Sequence, residues 1–294
     1  MKEPIIAVDV HTHLWEKQNG RVNGKPVIGV GGGLADFGGE IRQMMPPYMT
    51  DNENNVERLI ANMDYAAVSG AVITQEYIDG NQDDYLLRAK AKYPDRIRIC
   101  SLYEENDNYR LDGFDGVKVC AGRLADQDVT KLLPLFKAVE AAGKFISIDM
   151  ADGDAQTEGM AYLIEKCPDL RIAIGHFGMV TTPGWQKQIE LAKNKNVYIE
   201  SGGLTWLFHK EFYPYPSAIE AILEARDICG IEKLMWGSDY PRTMTDIAYI
   251  MALRFIKETP RMTDSEKAAF LGGNAIGFYG FDKLCPMPDV ANML

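Results

Sequence analysis

Short apolar runs alternate with segments of helical periodicity along most of the chain. A short apolar run between turn residues is typical of a buried strand, and apolar residues spaced three and four positions apart are typical of an amphipathic helix. On this basis the sequence predicts eight strands, at residues 4–8, 71–74, 97–100, 117–120, 145–148, 170–174, 197–200 and 233–236. Their alternation with helices favours an α/β fold, a single (β/α)₈ TIM barrel. A doubly wound parallel sheet is the alternative on the pattern alone.

Helices are predicted between most of these strands from their start and stop residues. The first begins near Glu53 and ends at Gly70, whereas the polar segment between residues 100 and 117 predicts a short or missing helix. The others are predicted at 84–93, from Asp128 to Gly143, up to Cys167, from Thr182-Pro183, at 218–229, at 247–257 and from Thr263, where Thr-Asp-Ser-Glu is a capping-box sequence.

Two segments stand outside the alternation. Residues 14–52 are rich in Gly and Pro and predict a mobile loop inserted above a site. The run 29–34 (Gly-Val-Gly-Gly-Gly-Leu) invites comparison with a dinucleotide fingerprint, but it lacks the last glycine and no helix follows. A short tail begins at about residue 282, and we expect residues 1–294 to form one domain.

The composition narrows the classes of partner. The chain has 294 residues, 46% of them hydrophobic, and 31 basic against 42 acidic side chains give a net charge of −11. That charge disfavours nonspecific binding to nucleic acid or to an anionic membrane. It leaves an anionic small-molecule substrate open, because local arginines or a metal can dominate one pocket.

Cysteine usage and the chain start indicate the compartment. The five cysteines are scattered without Cys-x-x-Cys spacing, which is typical of reduced core residues in the cytosol. The opening Met-Lys-Glu-Pro lacks the apolar region of a signal peptide, and no run is long enough to span a bilayer. We therefore expect a cytoplasmic protein with a small-molecule substrate. The apolar tail leaves a homo-oligomer open.

The candidate chemistry begins at the end of the first predicted strand. His11 and His13 are two positions apart, so in an extended strand their side chains project to the same side. Two imidazoles on one face supply half of a divalent-metal site. The alternative is a pair of histidines hydrogen-bonded at a strand end.

Other polar residues fall at the carboxyl ends of later strands, where barrel enzymes place their active sites. His176 is either a catalytic group or a core histidine bonded to a carbonyl, and Asp239 can serve both as a functional carboxylate and as a helix cap. Further residues at these ends are Lys118, Asp149 and Glu200. We expect His11, His13, Asp149, His176 and Asp239 to converge in one pocket.

Four stretches together resemble the amidohydrolase superfamily, in the branch called amidohydrolase family 2, which includes related decarboxylases and lactonases. They are Asp-Val-His-Thr-His at 9–13, Gly-His-Phe-Gly at 175–178, Leu-Met-Trp-Gly-Ser-Asp-Tyr-Pro at 234–241 and Gly-Asn-Ala at 273–275. The resemblance implies that His11, His13 and Asp239 surround one divalent metal and its water. It also implies that His176 polarises the scissile group or shuttles a proton.

One position departs from that family. A histidine is common at the end of the fifth strand as a further ligand, and here Asp149 occupies that position. Asp149 can ligate zinc or manganese through oxygen, which would make the ligand set His11, His13, Asp149 and Asp239. A metal-free, lactonase-like variant could use the same residues as acid–base groups.

The sequence thus predicts a metal-dependent hydrolase of a small carboxylated or cyclic amide, ester or lactone, with Asp239 and His176 as catalytic residues. A metal-dependent decarboxylase of an unsaturated or aromatic acid, a metal-free lactonase and a catalytically silent binding barrel are the alternatives. The candidate substrate-binding residues are Arg242, Tyr77, Trp206 and Lys118. An arginine there suits a substrate carboxylate.

Overall fold

Eight parallel strands form the centre of the computed structural model, which describes residues 5–105 and 108–290. Each strand pairs with the next along the barrel, as in the predicted (β/α)₈ fold, which is confirmed. The strands are β1 (Ala7–Thr12), β6 (Val68–Ile73), β7 (Ile97–Leu102), β8 (Gly116–Cys120), β9 (Phe145–Asp149), β10 (Arg171–Ile174), β11 (Val197–Glu200) and β12 (Leu234–Met235).

The first and last strands meet and join the two ends of the sheet. The Val10 amide donates to the Trp236 carbonyl at 3.1 Å, and the Asp239 amide donates to the His11 carbonyl at 3.0 Å. A third bond runs from the His13 amide to the Tyr240 carbonyl at 2.8 Å. A doubly wound sheet keeps two open edges, so these bonds exclude that alternative.

Helices cover the outside of the barrel with their apolar faces on the strands. They are α1 (Val56–Ala66), α2 (Asp83–Lys92), α3 (Leu133–Ala141), α4 (Thr157–Lys166), α5 (Gln186–Glu190), α6 (Leu204–Leu207), α7 (Pro216–Cys229), α8 (Met251–Glu258), α9 (Asp264–Ala268) and α10 (Asn274–Tyr279). The link from β7 to β8 has no helix in its described part, as the sequence predicts; residues 106–107 of it lie outside the description. Between residues 5 and 290, apart from those two, no helix is both long and apolar enough to cross a bilayer.

Three helix limits test the sequence signals. The capping box at Thr263 and Glu266 is confirmed. The prediction that α1 continues to Gly70 is wrong, because Ala67 adopts a left-handed conformation (φ 56°) and β6 begins at the next residue. The start at Thr182-Pro183 is also wrong. The Thr182 amide bonds back to Met179 in a turn, and α5 begins only at Gln186.

The insertion between β1 and α1 contains a small antiparallel sheet. Its strands are β2 (Asn19–Val22), β3 (Lys25–Gly31), β4 (Leu34–Phe37) and β5 (Ile41–Gln43). The prediction of an irregular loop is therefore wrong for residues 19–43. Asn23 and Gly24 (φ 51° and 74°) form a two-residue hairpin turn, which is the typical meaning of an Asn-Gly pair between strands. The glycine run turns β3 into β4, with Gly32 and Gly33 at positive φ.

The carboxyl-terminal tail lies against the barrel of its own chain. Leu284 packs on the core cluster that includes Val8 and Val10, and the Cys285 carbonyl accepts a hydrogen bond from Ser69 at 2.7 Å. A side chain on Gly70 would come within 2.8 Å of Leu284, so that glycine makes room for the tail. Residues 291–294 of the predicted tail lie outside the described residues.

Candidate active site

His11 in β1 and His13, which directly follows that strand, lie side by side at the carboxyl end of the barrel (the β1 histidines). His11 and His13 are both buried, and their ring centroids are 5.0 Å apart. The ring of His176, from the turn after β10, lies 4.5 Å from that of His11. Strand alternation therefore brings both β1 imidazoles to the same end of the barrel, and His176 joins them.

Glu200, the last residue of β11, orients His11. Its Oε1 lies 2.5 Å from Nδ1 of His11, and its Oε2 accepts a hydrogen bond from the Gly202 amide at 2.6 Å. Since a carboxylate accepts and does not donate, Nδ1 of His11 carries a proton, and in the neutral form of the ring the lone pair is then on Nε2. The Nε2 atom of His11 is buried and has no hydrogen-bond partner. Its lone pair is therefore available as a ligand.

Asp239 lies beside both histidines in a strained backbone conformation. Its Oδ1 is 3.0 Å from Nε2 of His13 and 3.9 Å from Nε2 of His11, while Oδ2 accepts from Nε1 of Trp206 at 2.8 Å. Its φ of 62° is left-handed, which aspartate tolerates better than most residues. Burial alone would raise the pKa of Asp239, but the hydrogen bond and charge of His13, with the charges of His11 and His176, hold it well below its usual range. Asp239 is therefore an ionised carboxylate.

Asp9 fixes the loop that carries Asp239. Its carboxylate accepts hydrogen bonds from the Ser238 amide at 2.8 Å and from the Tyr249 hydroxyl at 2.7 Å. Burial raises the pKa of Asp9 to about 6, although these hydrogen bonds oppose the shift. Because Asp9 belongs to β1, the strand that supplies the two imidazoles also anchors the carboxylate that faces them.

Lys118, Asp149 and His176 form a second charged group across the site. The ammonium of Lys118 is fully buried and lies 2.6 Å from Oδ1 of Asp149, whose Oδ2 is 3.7 Å from Nε2 of His176. Burial lowers the pKa of His176, but the charge and hydrogen bond of Asp149, together with the charges of Asp239 and Glu200, outweigh it and raise that pKa to about 10. The charges of Lys118 and His176 hold the pKa of Asp149 well below its usual range despite burial. His176 is thus held as a proton donor.

His176 is also fixed at its other nitrogen. Nδ1 lies 2.8 Å from the Gly202 carbonyl, which can only accept, so Nδ1 carries a proton. The turn that presents the ring has four consecutive residues with positive φ: His176 (62°), Phe177 (48°), Gly178 (65°) and Met179 (58°). Such backbone strain is typical of functional sites.

Three overlapping groups of side chains have the spacing of metal ligands, with one ligand atom per residue within 4.8 Å of the others. The first is His11, His13 and Asp239, the second is His11, Asp149 and His176, and the third is Glu76, Cys120 and Asp149. The first fits a divalent ion, because it joins two imidazoles to a carboxylate and includes the unsatisfied Nε2 of His11. In the second, Asp149 already pairs with Lys118, and His176 already donates to the Gly202 carbonyl. Asp149 thus shares a group with His11 and His176 but is not in the group of His11, His13 and Asp239.

A cavity of about 750 Å³ opens above these groups. Among its walls are His13, Asp149, His176, Trp206, Asp239 and Arg242, with Gln43 and Met44 from the insertion. Of the four predicted substrate-binding residues, Trp206 and Arg242 line it. Tyr77 and Lys118 do not line it, because the Tyr77 hydroxyl bonds the Tyr103 carbonyl at 3.1 Å and Lys118 lies beneath Asp149.

Two arginines reach the cavity, each beside a carboxylate. Nη2 of Arg242 lies 2.8 and 2.9 Å from the two oxygens of Asp79, and its Nη1 is buried without a hydrogen-bond partner. Nε of Arg123 lies 2.9 Å from Glu76. Arg123, Glu76 and Asp79 are not among the candidates that the sequence indicates. The only sequence feature that points to them is their position, because each lies a few residues after the end of a strand.

Residues 8–281 match the profile of a protein family that is described as amidohydrolase. No curated protein matches the chain. Among solved structures, a probable 2-pyrone-4,6-dicarboxylic acid hydrolase from Acinetobacter baumannii with bound citric acid is similar, with 20% identity, a TM-score of 0.66, and coverage of 94% of this chain and 99% of that one.

Two further solved structures share the fold. An amidohydrolase from Burkholderia multivorans with bound zinc is 15% identical, with a TM-score of 0.66 and coverage of 94% of this chain and 99% of that one. A 5-carboxyvanillate decarboxylase from Novosphingobium aromaticivorans, complexed with manganese and a nitrobenzoic acid ligand, is 18% identical, with a TM-score of 0.59 and coverage of 78% and 82%. At these identities the likeness concerns the barrel.

Proposed function

The chain belongs to the amidohydrolase family, and on this premise we propose that it hydrolyses a small carboxylated or cyclic ester, lactone or amide with the help of one divalent metal ion, zinc or manganese. One observation carries the proposal. An ionised carboxylate, Asp239, and a protonated imidazole, His176, both line one cavity beside the unsatisfied Nε2 of His11. A base and an acid that share a cavity are the two groups that hydrolysis requires.

The metal ligands in this proposal are His11, His13 and Asp239. Their donor set, two imidazoles and one carboxylate, is one that zinc and manganese accept. An ion held there would supply Lewis-acid chemistry and lower the pKa of a water molecule in the cavity. Asp149 has a different role in the proposal, because Lys118 and His176 already share its charge.

The protein's own residues move the protons. Asp239 accepts a proton from the attacking water, whose oxygen forms a bond to the acyl carbon of the substrate. His176 stabilises the developing oxyanion and gives its proton to the leaving oxygen or nitrogen as the acyl bond breaks. The charges of Asp149, Asp239 and Glu200 hold His176 in the protonated form until that transfer.

Arg242 orients the substrate in this scheme. Its Nη2 is held by Asp79, which leaves the buried Nη1 without a partner at the cavity wall. A buried donor that lacks a partner is costly, and a substrate carboxylate would satisfy it with a charge-assisted hydrogen bond. This is the basis for proposing a carboxylated substrate.

The test begins with elemental analysis of the purified protein, followed by a panel of lactones, esters, amides and unsaturated or aromatic carboxylic acids. We expect formation of a carboxylate product without carbon dioxide, and loss of this activity in Asp239→Asn. Release of carbon dioxide would indicate the decarboxylase instead. Full activity after exhaustive chelation would indicate a metal-free lactonase, and binding without turnover would indicate a silent barrel.

A further inference from the structure

The carboxylate of Glu200 is buried beside His11 and is not among the residues that line the cavity. We propose that Glu200 is a positioning residue that fixes two histidines at once, His11 as a metal ligand and His176 as a proton donor. The proposal rests on the proposed function for the roles of those histidines. The geometry that assigns the position of Glu200 is independent of it.

The first connection runs to His11. Oε1 of Glu200 accepts the Nδ1 proton at 2.5 Å, which selects the tautomer whose Nε2 has a free lone pair. That Nε2 belongs to the group formed with His13 and Asp239. Carboxylates that bind the outer nitrogen of a ligating histidine fix its orientation and raise its basicity, and their loss typically weakens metal binding about 10- to 100-fold.

The second connection runs to His176 through one residue. Oε2 of Glu200 accepts the Gly202 amide proton at 2.6 Å, and the Gly202 carbonyl accepts the Nδ1 proton of His176 at 2.8 Å. The two oxygens of one carboxylate thus set the positions of two imidazoles whose ring centroids are 4.5 Å apart. Displacement of Glu200 would disturb both rings together.

Three glycines at the ends of neighbouring strands lie against Glu200. A Cβ atom would lie 3.0 Å from Oε2 of Glu200 at Gly202 and 2.7 Å from Oε2 at Gly237. At Gly175 it would lie 2.7 Å from Oε1 of Glu200 and still closer to Oδ1 of Asp149. At Gly202 and Gly237 the same Cβ would also crowd His11. Three separate chain segments therefore avoid side chains around this carboxylate, as expected if its exact placement matters.

Charge supports the same role. Within residues 5–105 and 108–290, no Lys or Arg nitrogen lies within 4 Å of Glu200, and the only ion-pair contact of this 1% exposed residue is with His11. A buried carboxylate that serves only the scaffold is costly unless it is paired, and this one is paired with the histidine of the site. Its charge is therefore directed at the imidazole.

The test compares wild type with Glu200→Gln. A glutamine at this position presents one acceptor and one NH₂ group, so it cannot accept from both His11 and Gly202. The first readout is ¹⁵N NMR of the imidazoles in the metal-free protein, where the chain's four histidines can be assigned by single His→Gln variants. The second is zinc affinity, measured by competition with a chromophoric chelator.

We expect wild type to show Nδ1-protonated His11, and Glu200→Gln to change the His11 tautomer or the His176 signal and to bind zinc about 10- to 100-fold more weakly. Asp83→Asn is the matched control. Asp83 is a buried carboxylate bonded to Ser101 and Gln75 outside the cavity, so it should leave both readouts unchanged. An equal zinc loss in the control would show general destabilisation and overturn the proposal.

Unchanged tautomers together with unchanged zinc affinity in Glu200→Gln would also overturn it. Glu200→Leu, which removes both acceptors, should give the larger loss; if it fails to fold, the glutamine variant still decides. A wild-type protein that binds no zinc or manganese would refute the metal in the proposed function. The NMR readout would then still test the position of Glu200, because it is recorded without metal.

Discussion

The indole nitrogen of Trp206 donates a hydrogen bond to Oδ2 of Asp239 over 2.8 Å. Trp206 also lines the cavity, so a residue that the sequence indicates as a substrate contact is at the same time a support for the carboxylate. Because Oδ2 is held by the indole, Oδ1 faces the two imidazoles of β1. Substitution of Trp206 should therefore alter the chemistry as well as the binding of substrate.

Trp206→Phe should lower kcat about 10- to 100-fold, because a hydrogen bond to a charged group contributes about 1.5–3 kcal/mol and each 1.36 kcal/mol is tenfold in rate. Steady-state kinetics on the substrate found in the panel would measure this. Trp236→Phe is the control, since its indole bonds the Ala252 carbonyl instead. A change in KM alone would show that Trp206 only binds substrate.

Asp239→Asn should retain the fold and lower turnover by about 10²-fold or more, since general-base catalysis usually contributes about that much. The amide cannot accept a proton from water at neutral pH, and its NH₂ group would face either His13 or Trp206 as a second donor. Circular dichroism would check the fold and kinetics the turnover. Near-normal turnover would contradict the assigned role.

Removal of the metal should abolish activity and lower the melting temperature. Ligand binding to the folded state alone stabilises it by about 2.7 kcal/mol when the free ion is at 100 times its Kd. Elemental analysis should give one zinc or manganese ion per chain, and thermal unfolding before and after dialysis against a chelator should show the shift. Readdition of either ion should restore both properties; full activity without metal would be inconsistent with the ligand assignment.

Arg242→Lys should raise KM about tenfold or more with a smaller effect on kcat. Lysine keeps the charge but cannot both bind Asp79 through one nitrogen and offer a second to the substrate, as the guanidinium does. An increase in KM without a change in kcat would indicate that Arg242 binds the substrate equally well in the ground state and the transition state. Arg88→Lys, at an exposed arginine paired with Glu16, is the control and should leave both parameters unchanged.

Gly272→Ala should destabilise the fold by about 1–3 kcal/mol or more, as overpacking of a close contact does. A Cβ atom at Gly272 would lie only 1.8 Å from the carbonyl oxygen of Ile6, just before β1. Gly277→Ala, in α10, meets no atom within 4 Å and should instead be neutral or stabilising by up to about 1 kcal/mol. Denaturant unfolding of both variants would measure the difference; equal stabilities would refute the predicted clash.

Local pattern was sufficient to predict the barrel and the position of its polar residues. Alternation along β1 accounts for His11 and His13, and the common direction of parallel strands accounts for His176 and Asp239 at the same end. These inferences need only the sequence of each strand. The Asn23-Gly24 pair is an equally clear hairpin signal, but the glycine run that follows it is also typical of an irregular loop.

Pairings between distant residues could not be predicted in this way. His11 and Glu200 are 189 positions apart, and Arg242 and Asp79 are 163 apart, so no periodicity links them. Asp149 lies at the expected strand end, but whether it faces a metal or Lys118 depends on side-chain direction at the barrel interior. Such contacts form only when the barrel closes, and the sequence of a single strand does not indicate which distant residues closure brings together.

The junction between β1 and the segment after β12, where the barrel closes, has a consequence for the order of events during protein synthesis. His13 and Asp239 face each other across it although they are 226 positions apart. A ribosome-bound chain that has exposed only its first seven barrel strands therefore presents both β1 imidazoles without the carboxylate that completes the set. In the proposed function, capture of an ion by the full set therefore requires that the eighth strand has emerged and closed on the first.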